Sequence, residues 1–134
     1  MSGEAAGRAQ SFLAFDFGAK RTGVASGNTV TRSATPLTTI ATEKTDDRFA
    51  AVEKLIREWR PDALVVGVPF HPDGAAHDNT RRAQRFARQL HGRFKLPVHE
   101  VDERYTSTEA EAAGARDLDA ASAALILEQF LRQA

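Results

Sequence analysis

The sequence contains no cysteine. That absence excludes disulfides, thiolate catalysis and cysteine-ligated zinc or iron–sulfur centres, and it suits a reducing compartment. Neither charge is in excess, because 18 Lys and Arg stand against 18 Asp and Glu for a formal net charge of +0. A whole-molecule basic field for nucleic acid is therefore missing, and any electrostatic partner must be engaged locally. No apolar run is long enough to span a bilayer, and the opening MSGEAAGRAQ is small and polar, unlike a secretion signal or an anchor. The expectation is a soluble, cytoplasmic protein with no membrane partner, whose residues 1–11 form a loosely ordered N-terminal segment.

What is present fits one domain, expected over residues 12–134: 134 residues with 42% hydrophobic content supply one core and hardly two. Three β-type runs come first, Phe12–Asp16, Arg21–Ser26 and Arg32–Ile40, separated by the short glycine-containing stretches FGAK and GNT. Such spacing predicts an antiparallel meander. Asp46 or Asp47 is positioned to cap a helix whose apolar residues Phe49, Val52, Leu55, Ile56 and Trp59 recur at helical spacing up to Pro61. ALVVGVP has the unbroken apolarity of a strand covered on both faces, and the polar loop FHPDGAAHDN follows it. A second helix is predicted from about Thr80 to Phe94, with Ala83, Phe86, Ala87, Leu90 and Phe94 inward. LPVHEVDER reads as a fifth strand. Thr106–Glu109 has the spacing of a capping box opening a short helix to Gly114, and DLDAASAALILEQFL is a last helix. Helices and strands interleaved after a meander predict a mixed α/β sheet with helices on both faces, whose ligands bind where strands end.

Three of these elements end or begin on a carboxylate: Asp16 closes the first strand, Asp102 and Glu103 the fifth, and Asp119 opens the last helix. Gathered at one sheet edge, such carboxylates are either partly protonated or share a hard cation such as Mg²⁺ or Mn²⁺. Two such ions are recurrent machinery for phosphodiester hydrolysis. The plainer readings are that Asp119 or Asp117 caps a helix and that Asp102 and Glu103 pair with Arg104. Asp16, next to Phe17 and Gly18 at a strand end, is harder to read as solvated surface. Lys20 and Arg21 either hold a phosphate or form a solvated hairpin tip. Arg81, Arg85 and Arg88 fall on one helix face, with Arg82, Arg93 and Lys95 nearby, as a phosphate-tracking stripe or a charged solvent face. His71, Asp73, His77 and Asp78 lack ligand spacing and read as a loop at a strand end. Trp59 and Tyr105 read as a core residue and a surface-edge residue.

Taken together, FDFGAKRTGVA, ATPLTTI, VVGVPFHPDG, VDERYTSTEAEA and DLDAASAALILEQFL resemble, in order and spacing, the YqgF family, also called RuvX, of Holliday-junction resolvases and precursor 16S ribosomal RNA nucleases. The likeness runs from Phe12 to Leu131. It implies a ribonuclease H-like five-stranded sheet of order 3-2-1-4-5 with helices on both faces. It also implies a metal-dependent endonuclease acting on structured nucleic acid, with 5′-end processing of precursor 16S ribosomal RNA as the leading activity, ribosomal particles as potential partners and branched DNA as the alternative substrate. The family's acidic positions fall on Asp16, on the pair Asp102 and Glu103, and on Asp119. Glu103 is assigned ahead of Asp102, which stays open as the alternative metal ligand; neighbours on a strand face opposite ways, so only one of the pair is expected to reach the metals. The implied mechanism has Asp16 bridging two Mg²⁺ or Mn²⁺ ions that Glu103 and Asp119 complete, with Lys20, Arg21, Arg81, Arg85, Arg88 and Arg104 on the nucleic acid. Two departures stand out. Ala19 replaces a hydroxyl-bearing residue after DFG, and only GARDL separates Ala113 from Asp119, where the family usually has a longer Gly- and Lys-rich connection. DFGAKRTG also resembles the first phosphate loop of actin-like sugar kinases, which need two such domains around a nucleotide. A non-catalytic ribosome-assembly module is the third reading.

Overall fold

The computed structural model describes residues 9–103 and 118–133. Arg104, Tyr105, Asp117 and the capping box at Thr106–Glu109 lie outside the described residues. Strands β1 (Ser11–Asp16), β2 (Arg21–Asn28) and β3 (Ala34–Ala41) form the expected antiparallel meander. Helix α1 (Thr45–Trp59), strand β4 (Ala63–Val68), helix α2 (Asp78–Phe94), strand β5 (Val98–Asp102) and helix α3 (Leu118–Gln133) follow. β4 pairs parallel to β1 and β5 parallel to β4, which gives the order β3-β2-β1-β4-β5. The ribonuclease H-like sheet is therefore present as expected.

Alternation along β1 divides the interior. Leu13 and Phe15 face α1 and α2, where they join Val24, Leu64, Val66, Phe49, Val52, Phe86 and Leu90. Phe12 and Ala14 face α3 with Val65, Val101, Ile126, Leu127 and Leu131. Each large side chain wholly removed from water contributes about 1.5–3 kcal/mol, so both faces of the sheet are anchored. On the first face Phe15 meets Phe86 edge-on at 5.8 Å, and Phe17 stacks on the same ring at 4.8 Å. Phe17 directly follows Asp16, and this stacking ties the strand end to α2.

Several local expectations are corrected. The turn after β2 does not close at GNT: β2 continues to Asn28, whose Oδ1 accepts from the backbone N–H groups of Val30 and Thr31. Strand β1 starts at Ser11, one residue ahead of the expected run from Phe12, and Gln10 pairs with Thr29 beside it. Helix α1 opens at Thr45 behind Lys44, with no side-chain cap, and Asp46 and Asp47 lie inside its first turn. There they complement the helix dipole instead of capping. Helix α2 opens two residues earlier than Thr80 because His77 Nδ1 accepts from the Asn79 N–H, while Thr80 Oγ1 accepts from the His77 N–H. An imidazole nitrogen here does the work of an Asp or Ser oxygen. Strand β5 is shorter than LPVHEVDER.

Trp59 is not a core residue. It is 47% exposed. Helical periodicity carries the apolar stripe of α1 inward as far as Ile56, but the last turn overhangs the edge strand β3, beside Leu37 and Thr39, where no described element covers the indole.

Candidate active site

Strands β1, β4 and β5 run parallel, so their carboxyl ends share one edge of the sheet. Asp16 is the last residue of β1, and in register its two lateral neighbours are Gly23 of β2 and Gly67 of β4. Side chains of laterally paired residues stand on the same face. The Asp16 carboxylate is therefore flanked by two positions without side chains, which leaves room beside it.

Both glycines are required by what approaches them. A Cβ on Gly23 would lie 1.8 Å from the backbone oxygen of Asp119 and 2.8 Å from the nitrogen of Ala120. The first turn of α3 thus rests directly on the β2 backbone. A Cβ on Gly67 would lie 2.6 Å from Glu103 Oε2 and 2.2 Å from Ile126 Cδ1. Glu103 consequently folds its carboxyl group over β4 toward Asp16. On β5, Val101 faces α3 with Ile126, whereas Val98 joins the α1 and α2 face. Period-two alternation puts Asp102 on the Val98 side and Glu103 on the side of Asp16.

Asp16 and Glu103 are joined by a side-chain hydrogen bond. Two carboxyl groups can make that contact only if they share a proton. Burial, the neighbouring Asp16 charge and the hydrogen bond to it push the Glu103 carboxyl up to about 9. Burial is also the main cause that raises Asp16, with Asp119 adding to it, while the hydrogen bond from Glu103 opposes the rise. Asp119 is near enough to act on Asp16 electrostatically, but its Oδ2 is 2.8 Å from Arg21 Nε. Among the described residues no three His, Asp or Glu side chains converge at ligand distance of a single point.

The basic residues separate into different roles. Lys20 is exposed in the turn after Asp16, and Arg85 and Arg88 are exposed on α2. Arg81 is exposed but paired with Asp78 at 3.0 Å. Arg93 lies over the Phe49 ring at 4.1 Å, a packing role. Arg104 lies outside the described residues. In the loop after β4, His71 and His77 pack edge to face at 4.6 Å, with His77 engaged as a helix cap.

One residue escaped the sequence reading. Arg48 in the first turn of α1 is only 5% exposed. Its Nη2 donates to the backbone oxygen of Ala19 at 2.6 Å and to that of Thr42 at 3.1 Å, and its guanidinium lies over Phe17 at 5.1 Å. It clamps the β1–β2 turn immediately beyond Asp16. The available signal was its position four residues before Val52 and seven before Leu55, on the apolar stripe of α1.

With this geometry in place, the comparisons with known proteins decide the family. The RuvX family model, described as Holliday junction resolvase, matches residues 10–133. The chain belongs to the RuvX family. It is 69% identical to a protein of Polaromonas sp. (strain JS666) over 92% of this chain and 88% of that one, and 56% identical to a protein of Paraburkholderia phymatum over 98% and 90%. Each of these relatives is named "Putative pre-16S rRNA nuclease". Among solved structures, RuvC of T. thermophilus in complex with Holliday junction substrate superposes with a TM-score of 0.62 at 15% identity, over 92% of this chain and 94% of that one. A second T. thermophilus RuvC structure gives 0.57 at 12% identity, over 92% and 95%. At such identities the superposition speaks for the RuvX chain's fold.

Proposed function

We propose that this RuvX protein is a metal-dependent endonuclease that hydrolyses phosphodiester bonds in structured nucleic acid. Precursor 16S ribosomal RNA is the leading substrate, processed at its 5′ end in the cytoplasm, where ribosomal particles are its partners. A four-way DNA junction is the alternative substrate. The observation that carries the reading is the buried, hydrogen-bonded pair Asp16 and Glu103 at the glycine-flanked end of β1, with Asp119 brought beside it by α3. The names of the relatives support the ribosomal substrate. Among the described residues no helix is long and apolar enough to cross a membrane.

The donor set fits a hard divalent cation. Oxygen ligands are what Mg²⁺ and Mn²⁺ take, and two carboxyls sharing one proton stand where a cation would replace that proton. Asp16, Glu103 and Asp119 would hold the metal, and Glu103 is favoured over Asp102 because alternation along β5 turns Asp102 to the other face; two ions are proposed. When bound, the metal supplies Lewis-acid activation of water and neutralises charge on the reacting phosphate. Asp16 and Glu103 give up their shared proton and orient the site from two parallel strands, a rigid base for positioning. Arg48 keeps the turn bearing Ala19 and Lys20 in place. Lys20, Arg21, Arg85 and Arg88, and Arg81 once it leaves Asp78, attract the flanking phosphates, a local basic track in a molecule of zero net charge.

The test is incubation of labelled precursor 16S RNA and of a labelled four-way DNA junction with the full chain in Mn²⁺, Mg²⁺ or EDTA. Cleavage of the RNA that requires metal is expected. Cleavage of the junction alone would reassign the substrate, and metal-independent binding without cleavage of either would favour an assembly module.

A further inference from the structure

We infer that Arg21 is an exchange residue that occupies Asp119 while the metal is absent and passes to a substrate phosphate when the metal binds; the inference rests on the nuclease reading above. Arg21 Nε lies 2.8 Å from Asp119 Oδ2, an ion pair formed across the first residue of β2 and the first turn of α3. The two partners differ in exposure. The Arg21 side chain is 64% exposed and that of Asp119 32% exposed, so the arginine reaches the carboxylate from the solvent side.

This pairing has a consequence for the acidic edge. Asp119 acts electrostatically on Asp16, yet no three described carboxylates or imidazoles share one ligand point. With its Oδ2 held by a guanidinium, Asp119 offers a cation fewer lone pairs, and the positive charge of Arg21 repels a divalent ion arriving beside Asp16. Metal and Arg21 are thus competitors for one carboxylate.

The competition is also a coupling. An ion pair open to solvent is weak, so a divalent ion would displace the arginine readily. The freed guanidinium has five donors in a planar fork suited to phosphate oxygens. It remains tethered at the start of β2, five residues after Asp16, and so stays at the edge where the reacting phosphate must lie. Metal loading therefore creates a phosphate-binding cation, and by linkage nucleic acid that takes Arg21 strengthens metal binding.

The inference makes a sign prediction that an ordinary supporting role reverses. Mn²⁺ is titrated calorimetrically into full-length wild type, Arg21→Gln and Arg21→Lys without nucleic acid. Arg21→Gln is expected to bind Mn²⁺ about 3- to 10-fold more tightly, from loss of a surface pair and of like-charge repulsion. Arg21→Lys is expected to fall between wild type and Arg21→Gln. Binding of labelled precursor RNA, followed by anisotropy with Ca²⁺ in place of Mn²⁺ to avoid cleavage, is expected to tighten with metal in wild type and to lose most of that gain in Arg21→Gln. Equal or weaker Mn²⁺ binding by Arg21→Gln overturns the exchange and makes Arg21 a support for Asp119. Wild type that takes up no Mn²⁺ overturns the nuclease reading itself, a different result from the first.

Discussion

Asp16→Asn is expected to lower metal-dependent cleavage on the order of 10³-fold, about 4 kcal/mol of transition-state stabilisation, while the protein melts no lower than wild type. Asp16 lies in register between Gly23 of β2 and Gly67 of β4 and is hydrogen-bonded to Glu103, and neither glycine contributes a side chain that could substitute for it. Asparagine preserves shape and one hydrogen-bonding oxygen, but it cannot supply the negative charge that holds a cation. Its effect on folding has the opposite sign from its effect on activity. Burial raises Asp16, so the ionised carboxylate is held at a cost in the folded state, and a neutral amide removes that cost. Thermal melting beside a cleavage assay separates the two effects. Cleavage by Asp16→Asn at the wild-type rate would remove Asp16 from the chemistry.

Gly23→Ala is expected to cost about 3 kcal/mol of stability, through overpacking against atoms that cannot move independently. The atoms in the way are the carbonyl of Asp119, at 1.8 Å from its oxygen, and the nitrogen of Ala120. These belong to the backbone of α3. Relief requires the helix to lift from β2, and that movement also carries Asp119 away from Asp16. Gly67→Ala provides the contrast, because its added methyl meets the ends of two side chains, Ile126 and Glu103, which can rotate. A smaller loss of stability is expected there, with a loss of activity caused by displacement of the Glu103 carboxyl. Urea unfolding of both variants measures the difference. Equal stability losses would show that α3 does not rest on Gly23 as described.

Features written in local periodicity were legible in the sequence. The meander, the apolar stripes of α1 and α2 and the continuous apolarity of β4 follow from side chains repeating every two or about 3.6 residues, and Asp16 was conspicuous because it closes an apolar strand. The choice between Asp102 and Glu103 needed the phase of β5, which Val101 fixes by facing α3. Contacts between distant segments left no periodic mark. The pairing of Arg21 with Asp119, 98 positions apart in the numbering, belongs to this class, as does the reach of Arg48 to Ala19. Trp59 is exposed although it continues the apolar stripe, because helical spacing shows which face is apolar and not where the sheet beneath it ends. The cap at His77 carries no legible signal, because an imidazole is an uncommon substitute for Asp or Ser at a helix N-terminus.

The central claim is that Asp16 and Glu103 share a proton that a divalent metal replaces, and a Mn²⁺ titration in buffers of different ionisation enthalpy measures this directly. The Glu103 carboxyl is held up to about 9, so the metal-free protein still carries the proton at neutral pH. Binding must then expel it, and affinity should rise with pH until the group ionises by itself. At pH 7 the expected result is release of about one proton per protein on saturation, tighter binding at pH 8 than at pH 6, and loss of proton release in Glu103→Gln. Mn²⁺ binding without proton release and without dependence on pH would place the metal elsewhere and contradict the claim.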